Sequence, residues 1–173
     1  MIKWAVAGAA KARSPALDNP SPADLPFSVY ETKKGFIMAN EKILIIDDDD
    51  DIAHALRLPL EAAGYNVTRA ANGEAGLQKV KEINPDLIIL DVMMDSSTEG
   101  FHVSLALRSP DPASEYKAYS QIPILMLTSI HTTTSLRFAP DRDYLPVDAF
   151  VEKPIAPADL LKKVREFLSK KKA

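Results

Sequence analysis

Four apolar runs of this chain each end in a side chain able to do chemistry. The run 42–46 (KILII) leads straight into Asp47 and Asp48, the first two of five consecutive aspartates. The run 86–90 (DLIIL) is followed by Asp91, the run 122–127 (IPILML) by Thr128 and Ser129, and the run 148–152 (DAFVE) by Lys153. Carboxylates brought together repel one another and resist burial unless a cation neutralises them, and hard oxygen donors with one or two carboxylates per ion suit Mg²⁺. A carboxylate nucleophile, a metal ion and an ammonium group are also what an in-line phosphoryl transfer requires. All of this depends on the four strand ends meeting in space.

The elements between them make that meeting plausible. Including 66–70 (NVTRA), there are five short runs bounded by Gly, Pro, Asn or Asp and rich in Ile, Leu and Val, which reads as five strands. Helix-like segments alternate with them at 51–64, 73–83 and 99–108, and a last one at 156–168 carries Leu160, Leu161, Val164, Phe167 and Leu168 on one face. Pro157 suits a helix first turn, while Gly64 and Gly73 stand where a helix ends and another begins. Alternating strands and helices predict an α/β fold: a doubly wound, five-stranded parallel sheet with helices on both faces. In such a sheet the ligand lies outside the carboxyl ends of the strands, where the polar residues stand.

Composition narrows the classes further. With 173 residues, 46% of them hydrophobic and 26% charged, the chain can bury a core of ordinary size. It has no cysteine, which excludes disulfides, thiolate zinc sites and cysteine nucleophiles. From Met38 onward 16 basic residues face 21 acidic ones, a balance of −5 that disfavours nonspecific binding to nucleic acid or anionic membrane. No apolar stretch approaches the roughly 20 residues that span a bilayer. Residues 1–39 hold Pro15, Pro20, Pro22 and Pro26 with little periodicity, and read as an irregular leader. Its segment WAVAGAA is too short for a secretory signal, and Met38 would serve as an initiator, which would make the leader non-native.

The segments ILIIDDD, PDLIILDVMM, PILMLTS and AFVEKP, in that order, resemble the signature segments of the response-regulator receiver domain over about residues 40–170, leaving 171–173 as a tail. The resemblance implies a flavodoxin-like receiver fold in which Asp91 accepts a phosphoryl group. It further implies that Asp47, Asp48, Asp91 and the Met93 backbone carbonyl hold Mg²⁺, that Thr128 and Lys153 contact the phosphoryl oxygens, and that Phe150 is the aromatic switch residue. The Lys153–Pro154 peptide is expected to be cis, the turn by which receivers aim that lysine. Met93 and Ile130 flank the approach of a hydrolytic water in such domains, and both are apolar here, which implies slow self-dephosphorylation.

A signalling protein of a two-component system, cytoplasmic and not itself an enzyme, is therefore expected, with a histidine kinase or phosphotransfer protein as donor and a further protein downstream. Because only SKKKA follows the last helix-like segment, it reads as a stand-alone receiver with no direct DNA binding and no membrane contact. The remaining aspartates, Asp49, Asp50 and Asp51, read as the negative start of the first helix. His54, His102 and His131 lack metal spacing. Two other readings stay open: a haloacid-dehalogenase-like phosphatase, with Asp47 as nucleophile and Asp49 as acid, and a pseudo-receiver that binds partners without phosphorylation. Three departures from the receiver pattern stand out. The acceptor loop DVMMDSSTEGF has Asp95 where a proline is usual, the 108–121 connection is long, and HTTTSLRFAPDRDYLPV suits only a short fourth helix or none. Pro59 is expected to kink the first helix.

Overall fold

The computed structural model describes residues 40–94, 98–128 and 146–171. Its elements run β1 (Lys42–Ile46), α1 (Asp50–Ala62), β2 (Asn66–Ala70), α2 (Gly73–Ile83), β3 (Leu87–Asp91), α3 (Glu99–Leu107), β4 (Ile124–Thr128), β5 (Ala149–Glu152) and α4 (Pro157–Lys171). All four strand pairings are parallel and the order is β2-β1-β3-β4-β5. This is the flavodoxin-like order, whose ligand crevice opens between β1 and β3, where the winding changes direction.

The central strands are apolar throughout because both of their faces are covered. Ile43 and Ile45 of β1, Leu87 and Ile89 of β3, and Leu125 and Leu127 of β4 point to one face, where they meet Leu56 and Leu60 of α1 and Leu160, Val164 and Leu168 of α4. The alternate residues, Leu44, Ile46, Ile88, Leu90, Ile124 and Met126, meet Val80 of α2 and Val103 and Leu107 of α3 on the other. Side chains two apart on a strand share a face, so each five-residue strand feeds two cores. At about 1.5–3 kcal/mol per fully buried aliphatic side chain, this burial is the principal stabilising contribution.

Helix ends are set locally. The Asp49 carboxylate accepts from the amides of Asp51 (2.9 Å) and Ile52 (3.0 Å), capping α1 as expected, and Asn72 caps α2 through the Ala75 amide at 2.8 Å. After α1 the chain turns at Gly64 with φ 92°, a conformation that costs glycine little. The α1 helix runs through Pro59, whose carbonyl still accepts from Ala63 at 3.1 Å. Pro157 opens α4.

Two strands end later than the apolar runs suggested, Asp91 and Thr128 being the last residues of β3 and β4, and β5 begins one residue later, at Ala149. The long connection between α3 and β4 is more than a surface loop. It contains a 3₁₀ turn at Lys117–Tyr119, and Tyr116 and Tyr119 pack against the α2/α3 core. Lys81 of α2 holds it in place, 2.8 Å from Glu115 and 4.9 Å from the centre of the Tyr116 ring. The leader, Asp95, Ser129, Ile130, His131 and the expected weak fourth helix lie outside the described residues.

Candidate functional site

Parallel strands carry their carboxyl ends to one edge, and the chemistry gathers there. Asp47 directly follows β1 and is fully buried, Asp91 closes β3 at 6% exposure, Thr128 closes β4 at 1%, and Lys153 directly follows β5. Asp48 is exposed at the rim. Carboxylate oxygens of Asp47, Asp48 and Asp91 all lie within 4.8 Å of one another. Between two of them stands the Lys153 ammonium, 2.9 Å from Asp47 Oδ2 and 3.1 Å from Asp91 Oδ2. The Lys153 amide donates to the Thr128 carbonyl at 2.8 Å, which fixes where the lysine leaves the sheet. The peptide that follows it, Lys153–Pro154, is cis as expected.

Electrostatics distinguish the acidic groups. Asp47 is satisfied on both oxygens, Oδ1 by the Asp49 amide at 3.0 Å and Oδ2 by Lys153. Asp91 is held above the ordinary carboxylate value of 3.8: loss of solvent raises its pKa, and the Asp47 charge adds to the rise. Lys153 and the Met93 amide pull in the other direction without cancelling it. A buried carboxylate with a raised pKa, flanked by a second carboxylate and an ammonium, is a site prepared for more positive charge. The donors are hard oxygens that a small divalent cation requires, so these residues fit Mg²⁺.

Met93 follows Asp91 by two residues and is 44% exposed. Phe150 lies in β5 opposite Met126, partly buried against the α2/α3 core. Asp91 is clamped from one side: a Cβ on Gly100 would fall 2.1 Å from the Asp91 carbonyl oxygen, so the first turn of α3 lies in direct contact with the Asp91 backbone. Beside the site, an apolar groove of about 520 Å³ runs between α1 and the start of α4, lined by Ile52, Ala55, Pro59, Ile155 and Leu160 among others.

Asp47, Asp48, Asp91 and Lys153 come together, with the Thr128 backbone bonded to Lys153, whereas Phe150 packs into the α2/α3 core. The one important polar residue missed is Arg69 of β2, whose guanidinium binds the Asp47 and Asp48 carbonyls from the neighbouring strand. The sequence shows only a lone arginine in a strand; that this strand lies beside the acidic turn comes from the β1–β2 register. Asp49 faces the start of α1 as its cap, an arrangement that gives no support to its role as the acid of a phosphatase.

Comparison with known proteins agrees with this geometry. Residues 43–165 match the response regulator receiver domain family, and the chain belongs to that family. It is 33% identical over 136 residues to the alkaline phosphatase synthesis transcriptional regulatory protein PhoP of Bacillus subtilis, covering 75% of this chain and 49% of that protein. It is 34% identical over 127 residues to the DNA-binding dual master transcriptional regulator RpaA of Synechocystis, covering 73% and 48%. Among solved structures, a CheY-like response regulator receiver domain protein from Methanospirillum hungatei superposes with a TM-score of 0.64 at 28% identity, covering 78% of this chain and 98% of that one.

The chain is thus similar to transcriptional response regulators. These relatives correct one expectation. A partner set without DNA was inferred from the short tail, yet RpaA is DNA-binding by name and PhoP is a transcriptional regulator. The chain spans about half the length of the curated relatives it matches, so the shortness of the tail carries no information about DNA. No helix among the described residues is long and apolar enough to cross a membrane.

Proposed function

We propose that this receiver is switched by phosphorylation of Asp91, with a phosphohistidine of a histidine kinase or phosphotransfer protein as the donor. An Asp91 carboxylate oxygen attacks the phosphorus, the phosphorus–nitrogen bond of the donor breaks, and an acyl phosphate forms on the protein. Mg²⁺, held by Asp47, Asp48, Asp91 and the Met93 backbone carbonyl, would supply charge neutralisation for the transferring group. Lys153 leaves its two carboxylates to pair with the phosphoryl oxygens, and the Thr128 hydroxyl donates to them. Phe150, on β5 opposite Met126 and two residues short of the level of Thr128, follows that movement and alters the surface offered to a downstream protein.

The observation that supports this most is the Lys153 ammonium poised 3.1 Å from Asp91 and 2.9 Å from Asp47, at the point where three carboxylates converge. A pseudo-receiver has no need of such an arrangement, since two buried carboxylates sharing one ammonium are costly to keep. Incubation with labelled acetyl phosphate and Mg²⁺ tests the reading. The parent chain should take up label, Asp91→Asn should take up none while keeping its fold, and label persisting on Asp91→Asn would move the acceptor elsewhere.

A further inference from the structure

The turn between β1 and α1 carries both Asp47 and Asp48, and a residue of the neighbouring strand holds it. Arg69 stands opposite Ile45 in the β1–β2 register, one residue before the end of β2. Its Nε and Nη2 donate to the Asp47 carbonyl at 3.2 and 2.9 Å, Nη2 also donates to the Asp48 carbonyl at 3.0 Å, and Nη1 pairs with the Asp50 carboxylate. The Arg69 side chain is only 27% exposed, although Asp50 is 86% exposed. A solvated surface arginine would give up rotamer freedom for little return in such an arrangement. The fork engages three of the four residues between Asp47 and Asp50, and two of those are the acidic residues of the site.

We infer that Arg69 is a positioning residue for the metal-binding pair, an assignment that rests on the Mg²⁺ reading given under Proposed function. Pinning the carbonyls of Asp47 and Asp48 fixes the two peptide planes from which the carboxylates are carried, so the ligands are held ready before the ion arrives. A planar guanidinium can do this and an ammonium cannot, because only the former presents several donors in a fixed plane. Charge works in the opposite direction: a cation close to the site repels Mg²⁺. Position and charge therefore predict opposite signs for the loss of Arg69.

The test compares Arg69→Ala and Arg69→Lys with the parent chain in two measurements. In Mg²⁺ titration by calorimetry, both variants should bind the ion about tenfold or more weakly, the scale on which residues orienting metal ligands act. The Mg²⁺ concentration for half-maximal label uptake from acetyl phosphate should rise in parallel, while the rate at saturating Mg²⁺ stays close to that of the parent. In metal-free hydrogen exchange, the amides of Asp49, Asp51 and Ile52 should exchange faster and those of β3 and β4 should not. Equal or tighter Mg²⁺ binding by Arg69→Ala, parental binding by Arg69→Lys, or unchanged exchange in the turn would each overturn the assignment. If the β3 and β4 amides of Arg69→Ala also lose protection, that variant has lost its fold and Arg69→Lys decides. A parent chain that binds no Mg²⁺ would sink the metal reading instead, and the exchange measurement would then decide the role of Arg69 alone.

Discussion

The Lys153 ammonium donates to Asp47 Oδ2 at 2.9 Å across 106 residues of chain, joining the first strand's end to the last. The pair is nearly dry, with side chains 13% and 1% exposed, and Asp91 shares the same ammonium. Lys153→Met would leave two buried carboxylates with no cation. Breaking such a group by removing one partner costs about 3–5 kcal/mol. The loss should depend on pH. Lys153 holds the Asp91 pKa down, so without it the carboxyl rises further above its ordinary value of 3.8. A raised acid keeps its proton in the folded state to higher pH than in the unfolded chain, so its favourable contribution is present at low pH and lost as pH climbs through the raised pKa. Urea unfolding in a chelator should therefore show a gap between variant and parent that is small near pH 4.5 and widens towards pH 7.5. A gap independent of pH would contradict this account.

Asp48 is exposed and has no part in the core. Asp48→Ala should leave metal-free stability within about 0.5 kcal/mol of the parent, as for other surface changes. Its Mg²⁺ affinity should fall at least about tenfold, since even residues that only orient a metal ligand are worth that much. Calorimetric titration showing unchanged binding would remove Asp48 from the metal set.

Gly100 and Gly76 make a matched pair. A Cβ at Gly100 would meet backbone, the Asp91 carbonyl oxygen at 2.1 Å, whereas one at Gly76 would meet the side-chain tip of Ile46 at 2.5 Å. Side chains can turn and a sheet backbone cannot, so Gly100→Ala should lie at or beyond the upper end of the roughly 1–3 kcal/mol typical of overpacking, and Gly76→Ala below it. Gly100→Ala should also slow label uptake, because the displaced atom belongs to Asp91, the proposed acceptor. Equal melting temperatures for the two variants would show that α3 shifts freely.

The cap and the acid roles of Asp49 are separable. Asn caps a helix about as well as Asp, while Ala costs about 1 kcal/mol. Asp49→Asn should match the parent in stability and Asp49→Ala should fall below it, with label uptake retained in both. Loss of uptake in Asp49→Asn would show an acid–base task for this residue.

Much of the site was legible because a parallel sheet converts sequence position into place. An apolar run announces a buried strand, and the polar residue that stops it sits on the ligand edge. Asp47, Asp48, Asp91, Thr128 and Lys153 could be placed at that edge in this way. The faces of β1, β3 and β4 were not legible, since a strand buried on both sides shows no alternation to say that Ile43 and Leu44 enter different cores. Arg69 was hidden for a different reason. Its role depends on the β1–β2 register and on the reach of a long side chain, and neither leaves a pattern in the chain. The docking of Tyr116 beneath Lys81 is likewise a tertiary event in a segment whose prolines and polar residues read as loop.

Gly73 opens α2 with its amide 2.6 Å from Glu99 Oε1, the first residue of α3, and a Cβ placed on it would come within 2.8 Å of Val103 Cγ2 and 2.9 Å of that same carboxylate oxygen. Two helices thus begin in a space with room for only one set of side chains. Over evolutionary time these positions cannot drift separately: a lineage that acquires a side chain at 73 must shorten 99 or 103, or part the helices. Co-variation among the three, with nothing linking them along the chain, is the trace this junction would leave in descendants of the protein.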